Sequence, residues 1–202
     1  LGRIDLGRMN DRVFANVSGI GFDVEVLRQT VRFKRLGRGI LPYLCGVIAA
    51  LYAALSLVST AMGLGFGTVQ LRLSEALCVL PILFPEAVPG LAVGCLVTNL
   101  LSPYGAAELI FGTLATLLAA VLTRGIRRRA LAPLPTILCN AVIVGALLGY
   151  VGAQEGGVFW TLFALNAFTV GLGEALVTYI LGLPLLRWIE KAPALRQFSQ
   201  PL

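Results

Sequence analysis

The sequence contains no histidine and few charged residues: 13% of its 202 residues are Asp, Glu, Lys or Arg, whereas 57% are hydrophobic. A soluble globular chain carries about 25% charged residues. The lack of histidine removes the commonest general base and metal ligand. The four cysteines form no close pair of the kind that indicates a metal site or a redox motif. We therefore expect four buried single thiols, no metal and no cofactor.

Long stretches have no charged residue at all: 40–71, 109–123, 130–154 and 156–173. A helix needs about 18 to 20 apolar residues to cross a bilayer core of about 30 Å. Most of these stretches reach that length, which predicts an all-α membrane protein. We expect a bundle of six transmembrane helices near 41–63, 70–84, 88–102, 105–123, 133–152 and 158–186. The second and third are short for full spans, so we expect them to tilt or to stop partway across the bilayer.

The first 38 residues are different in character. They are polar and have no apolar core of the kind that a cleavable signal peptide requires. Runs of β-prone residues at 3–6 and 13–17 lie on either side of the turn-rich stretch 7–11. This pattern predicts a short β-prone N-terminal segment before the helical bundle.

Basic residues predict the orientation of the bundle in the membrane. They form three clusters: Lys34, Arg35 and Arg38 before the first helix, Arg124 with Arg127, Arg128 and Arg129 after the fourth, and Arg187, Lys191 and Arg196 after the sixth. With six spans, all three clusters fall on one side, which places both termini in the cytoplasm. A nucleic-acid patch is the alternative for the arginine run, but its place beside a helix end disfavours it.

Ionisable side chains inside a bilayer are costly, so each is a candidate functional residue. Arg72 and Glu75 are three positions apart and are expected to share a helical face and to pair, in a substrate site or as an interfacial anchor. Glu86 lies in a predicted turn between two prolines, which favours a solvated carboxylate. Glu108, near the start of the fourth helix, either contacts substrate or complements the helix dipole.

Glu174 is the carboxylate least easily explained as a loop charge, because the sixth apolar run continues on both sides of it. Asn166 lies two turns earlier on the same face. Asn99 and Asn140 are further deep polar residues, and they either bind ligand or join helices by hydrogen bonds. The candidate substrate-binding residues are Glu174, Glu75, Asn140, Asn99, Glu108, Arg72 and Asn166.

This set of carboxylates and amides suits a small polar molecule. A carboxylate accepts two hydrogen bonds from an amidine-like N–H pair, as on the edge of a guanine. The sequence has no pattern typical of a nucleophile with its base. The glycine-rich stretch 63–67 lacks the lysine of a phosphate-binding loop. We therefore expect a binding protein without an ATPase activity of its own.

Small residues recur every four positions in the first helix, as Ala49 with Ala53 and Ala50 with Ala54. Such stripes let a second helix approach closely. The two possible uses are packing within the bundle and contact with a partner subunit.

Between about residues 49 and 191 the sequence resembles the QueT family. The similar stretches are 70–77 (QLRLSEAL), 83–90 (LFPEAVPG), 111–116 (FGTLAT), 132–135 (APLP) with Asn140, and 171–174 (GLGE). These proteins are S components, the substrate-binding subunits of energy-coupling-factor vitamin transporters. The resemblance implies a six-helix fold and uptake of a queuosine precursor, a 7-deazaguanine. It also implies partners: a transmembrane scaffold subunit, met by small residues of the first helix, and two cytoplasmic ATPases.

Residues 2–48 resemble a different family, the bacterial diacylglycerol-kinase-like lipid kinases. The similar stretches are 2–10 (GRIDLGRMN), 16–23 (NVSGIGFD) and 33–36 (FKRL). In that family the nucleotide loop lies upstream of this region and the catalytic carboxylate downstream, and this sequence has neither. We interpret residues 1–40 as a truncated kinase-like segment joined by a fused or misassembled reading frame, and 41–202 as the six-helix substrate-binding domain.

The function expected from the whole sequence is therefore that of a transporter subunit in the cell membrane, not of an enzyme. One alternative is a membrane-attached fragment of a lipid kinase, which the missing nucleotide loop disfavours. The other is a structural membrane protein that uses its small-residue faces only for assembly.

Overall fold

The computed structural model describes residues 7–9, 12–14, 41–66 and 70–192. The chain divides into two units, Leu1–Pro42 and Tyr43–Leu202. In the first unit, strand β1 (Gly7–Met9) pairs antiparallel with β2 (Arg12–Phe14). Two strands of three residues each do not support the β-prone segment that the sequence predicted. The remainder of that segment, and of the kinase-like stretch before residue 41, lies outside the described residues.

The rest of the described chain is helical. Its α-helices are α1 (Leu41–Ala61), α2 (Ala87–Asn99), α3 (Gly105–Arg124), α4 (Leu134–Gln154), α5 (Phe159–Val177) and α6 (Leu183–Lys191). A 3₁₀ helix (Leu73–Ile82) lies between α1 and α2, a short 3₁₀ turn (Arg129–Leu131) precedes α4, and a π turn (Thr178–Gly182) joins α5 to α6.

Four helical stretches among the described residues are long and apolar enough to cross a membrane. They are Tyr43–Ala61, Gly105–Arg124, Arg129–Gln154 and Phe159–Lys191. This confirms an all-helical membrane bundle. It does not confirm six full spans, because the helices predicted at 70–84 and 88–102 are both short.

The two short helices are the 3₁₀ helix Leu73–Ile82 and α2. Ten residues of 3₁₀ helix rise about 20 Å, and so do the 13 residues of α2. Both fall short of the bilayer core of about 30 Å. Prolines help to explain this, since Pro81 lies inside the 3₁₀ helix and Pro85 lies between the two helices.

The outer surface of the bundle is apolar. Large hydrophobic side chains are exposed along the long helices, among them Leu51, Ile110, Leu138 and Phe168. Soluble monomers rarely expose apolar patches of this extent, whereas lipid chains solvate such surfaces. The polar side chains described below are buried inside this apolar surface.

Hydrogen bonds identify which helix ends lie together. Arg129 donates from Nε to Glu190 Oε1 at 2.6 Å, and Tyr179 donates its hydroxyl to the carbonyl of Ala130 at 3.2 Å. The turn after α3 and the end of α6 therefore lie at the same end of the bundle. The described members of two predicted basic clusters are at this end, which is required if both clusters face the cytoplasm. Which side of the membrane it faces stays a prediction.

Candidate substrate-binding site

A buried ion pair joins Arg72 to Glu108 in the first turn of α3. Arg72 also donates from Nε to the carbonyl of Gly65 at 2.8 Å and from Nη1 to Asn99 Oδ1 at 3.4 Å. The second oxygen of Glu108 accepts from Ser102 Oγ at 2.5 Å. Both oxygens of this carboxylate thus have partners within the protein, as a structural ion pair requires.

The predicted pairing of Arg72 with Glu75 is wrong. Arg72 precedes the 3₁₀ helix with ψ at 105°, an extended conformation, so the two residues do not lie three apart on one helical face. Glu75 instead accepts from the hydroxyl of Tyr52 at 2.5 Å and from the thiol of Cys78 at 3.0 Å. Each of its oxygens therefore already has a hydrogen-bond donor.

A row of polar side chains on α1 holds the 3₁₀ helix in place. Beyond the bond from Tyr52 to Glu75, Ser56 donates to Ser74 Oγ at 2.7 Å, and Ser59 Oγ accepts from the backbone N–H of Leu73 at 2.8 Å. Tyr52, Ser56 and Ser59 follow helical spacing, so they form one face of α1. This face positions the segment that carries Arg72 and Glu75.

Glu174 lies in α5 and is 3% exposed. Its Oε1 accepts from Asn140 Nδ2 of α4 at 2.9 Å. Its Oε2 has no hydrogen-bond partner among the described residues. An ionised or neutral carboxyl oxygen that is buried without a partner is costly. Glu174 is thus the one candidate carboxylate in this part of the chain that keeps a free acceptor inside the bundle.

Two more buried side-chain oxygens lack a partner in the described part of the chain: Asn166 Oδ1 on α5 and Thr136 Oγ1 on α4. Asn166 was expected to share the Glu174 face, and both residues are buried on α5. Thr136 was not predicted. Its only signal in the sequence is its place one helical turn before Asn140. A hydroxyl at such a position resembles ordinary helix packing, so it does not stand out as a carboxylate or an amide does.

The remaining candidates have other surroundings. Asn99 donates from Nδ2 to the carbonyl of Glu108 at 3.2 Å and to Thr113 Oγ1 at 3.3 Å, so it joins α2 to α3. Glu86 is half-buried beside the start of α2, in agreement with the expected turn.

Tyr52, Cys78 and Ser102, which hydrogen-bond to the carboxylates, were missed because they resemble ordinary residues of an apolar run.

The two alanine stripes of α1 that are candidates for contact with a partner subunit differ in exposure. Ala50 and Ala54 are exposed, whereas Ala49 and Ala53 are only partly so. The Ala49 carbonyl faces α2, since a Cβ atom at Gly94 would meet that oxygen at 2.8 Å. Of the two stripes, Ala50 with Ala54 is therefore the one that is open to another helix.

The interior formed by the described residues offers hydrogen-bond acceptors for a donor-rich molecule. No group of three or more His, Cys, Asp or Glu residues in the described ranges could hold a metal ion. Buried acceptors without a partner in the described chain need an explanation, and a bound polar molecule would supply one. The family model of the QueT transporter matches residues 43–191, and the chain belongs to this family.

The family match confirms the resemblance that the sequence showed and makes the chain an S component, a membrane transporter subunit. The family is one of transporters, not of enzymes. The comparisons do not support the lipid-kinase resemblance of residues 2–48. No curated protein matches the chain, and no solved structure does.

Proposed function

We propose that this S component binds a queuosine precursor, a 7-deazaguanine, and delivers it through an energy-coupling-factor module. The proposal is carried by the Oε2 of Glu174, which has no hydrogen-bond partner in the described part of the chain, beside the Asn140–Glu174 hydrogen bond. A ligand with adjacent N–H donors would complete the hydrogen bonding of this carboxylate. The N1–H and 2-amino groups of a deazaguanine are such a pair.

The other candidates support the site in different ways. Asn140 holds one oxygen of Glu174, and Asn166 adds an amide oxygen without a partner in the described chain. Glu75 and Glu108 have partners on both oxygens, so we assign them, with Arg72 and Asn99, to positioning the segments around the site. This division separates residues that contact ligand from residues that hold the bundle together.

The partners follow from the family. An S component works with a transmembrane scaffold subunit and a pair of cytoplasmic ATPases. We assign the scaffold contact to the exposed stripe of Ala50 and Ala54, which has Gly46 one turn earlier with nothing within 4 Å of its Cβ position. Small residues at this spacing permit close helix packing within a bilayer. We place both termini in the cytoplasm, because the basic clusters require it.

A thermal-shift screen of the detergent-solubilised protein tests the substrate. The panel contains 7-deazaguanine, 7-aminomethyl-7-deazaguanine, riboflavin, thiamine and biotin. A bound ligand at about 100 times its Kd stabilises a protein by about 2.7 kcal/mol. We expect a clear rise in melting temperature with a deazaguanine only. A rise in melting temperature with a vitamin instead would show that the vitamin is the substrate, and it would leave the assignment as a transporter subunit unchanged. No rise with any compound would count against the site.

A further inference from the structure

Thr136 differs from every other buried threonine in the described residues. Thr98, Thr116, Thr123 and Thr178 each donate a hydrogen bond to another protein atom. Thr136 is 0% exposed, yet its Oγ1 has no hydrogen-bond partner in the described ranges. A helical threonine commonly bonds the carbonyl four residues earlier. That carbonyl belongs to Ala132 and instead accepts from Thr123 at 3.4 Å.

The position of Thr136 links it to Glu174. It lies four residues before Asn140 on α4, and side chains at this spacing are neighbours with Cβ atoms about 5–6 Å apart. Asn140 holds Glu174, and α5 crosses α4 at this level, since a Cβ at Gly171 would meet Ala141 Cβ at 3.3 Å. Thr136 therefore lies one helical turn from the residue that holds Glu174, and each of the two side chains, Thr136 and Glu174, has an oxygen without a partner among the described residues.

The two oxygens have different hydrogen-bonding capacities. An ionised carboxylate only accepts, whereas a hydroxyl donates one hydrogen bond and also accepts. A ligand that fits both would carry an acceptor next to its N–H donors. A 6-oxo purine edge has this order: the carbonyl oxygen, then N1–H, then the 2-amino group. A 6-amino purine edge reverses the first two groups and presents a donor where the 6-oxo edge presents an acceptor.

We propose that Thr136 is a specificity-determining residue of the substrate site and donates to the 6-oxo group of the ligand. This inference rests on the proposed function, because it assumes that the deazaguanine edge lies against Glu174. It assigns the recognition of the carbonyl to α4 and that of the two N–H donors to α5. Discrimination against 6-amino deazapurines comes from Glu174, which needs the N1–H that they lack, whereas Thr136 discriminates by how well the group at position 6 accepts a hydrogen bond.

Thr136→Val tests the inference, because valine keeps the shape and removes only the hydroxyl. The affinities of 7-deazaguanine and 6-thio-7-deazaguanine for the purified protein are measured by calorimetry, because the 6-thio compound keeps the N1–H and 2-amino donors and replaces only the carbonyl oxygen by a weaker acceptor. We expect wild type to prefer the 6-oxo ligand. We expect the variant to lose about 5-fold of that preference, mostly through weaker binding of the 6-oxo compound, the size expected for one neutral hydrogen bond. Thr136→Ser keeps the hydroxyl and is expected to keep the preference.

Thr98→Val is the matched control, since Thr98 is buried but donates to the carbonyl of Gly94 within its own helix. Its ligand preference is expected to stay within twofold of wild type. An unchanged preference in Thr136→Val, or a lost preference in Thr136→Ser, overturns the role of Thr136 and leaves the proposed function intact. If wild type binds neither compound, the proposed function fails and the role of Thr136 fails with it.

Discussion

The backbone of Gln70 lies directly against Gly173 of α5: a Cβ atom at position 173 would be 2.0 Å from the carbonyl oxygen of Gln70. No real Cβ contact is that short, and the opposing atom belongs to the backbone, so it cannot rotate away. This approach brings the segment that carries Arg72 and Glu75 against the helix turn that carries Glu174. The segment of Arg72 and Glu75 can pack this closely against the turn of Glu174 because residue 173 is glycine.

Gly173→Ala is therefore expected to destabilise the bundle by about 1–3 kcal/mol, the usual cost of overpacking. It should also weaken ligand binding, because α5 and the segment after Gln70 must move apart. Thermal unfolding in detergent and calorimetry measure the two effects. Gly46→Ala on α1 is the control, since nothing lies within 4 Å of its Cβ position. Equal melting temperatures for both variants would contradict the close approach.

The buried pair of Arg72 and Glu108 is expected to be sensitive to loss of either partner. Arg72→Met leaves a buried carboxylate uncompensated, which costs about 3–5 kcal/mol of unfolding free energy. Adding Glu108→Gln to the same variant should recover part of this loss. The pair of Arg129, which is 56% exposed, with Glu190 is the control, and Arg129→Met should cost about 0–1 kcal/mol. A similar loss in both single variants would argue against a structural role for the buried pair.

The partner surface on α1 has its own test. Ala50→Leu with Ala54→Leu adds bulk to an exposed stripe and should prevent close approach of the scaffold helix. Co-purification with the scaffold and ATPase subunits is expected to fall severalfold, while ligand affinity stays unchanged. Ala164→Leu on the exposed surface of α5 controls for added apolar bulk elsewhere. Undiminished complex formation in the double variant would move the docking surface away from this stripe.

Reporter fusions test the orientation. Fusions after Arg129 and at Leu202 should both report a cytoplasmic position, and a fusion after Gln154, at the other end of α4, should report the outside. A cytoplasmic signal after Gln154, or an external signal at either of the other points, would refute the proposed topology.

Helices and the central carboxylate could be predicted from the sequence because their signals are local. Charge-free runs indicated α1, α3, α4 and α5, and the apolar run around Glu174 indicated a buried carboxylate. Which residues the charged side chains pair with could not be predicted in the same way. Arg72 pairs with Glu108, 36 positions away, and this depends on how the start of the 3₁₀ helix meets the start of α3.

The shortness of the second and third helices was expected in part, but the 3₁₀ conformation of Leu73–Ile82 was not. Its apolar composition fits an α-helix as well, and the choice depends on tertiary contacts such as the hydrogen bond from Leu73 to Ser59. Tyr52 and Cys78 were also missed, because an uncharged tyrosine or thiol in an apolar run resembles core packing until its carboxylate partner is known.

The central claim is that Glu174 binds the donors of the substrate, and calorimetric titration of Glu174→Gln with 7-aminomethyl-7-deazaguanine tests it most directly. Glutamine keeps the volume, removes the charge and turns one acceptor into a donor. Loss of a charged hydrogen bond should cost about 1.5–3 kcal/mol, roughly 10- to 150-fold in Kd. Glu155→Gln, at the exposed end of α4, is the control. The account predicts this loss in Glu174→Gln alone, with complex formation unchanged. Wild-type affinity in Glu174→Gln would contradict it.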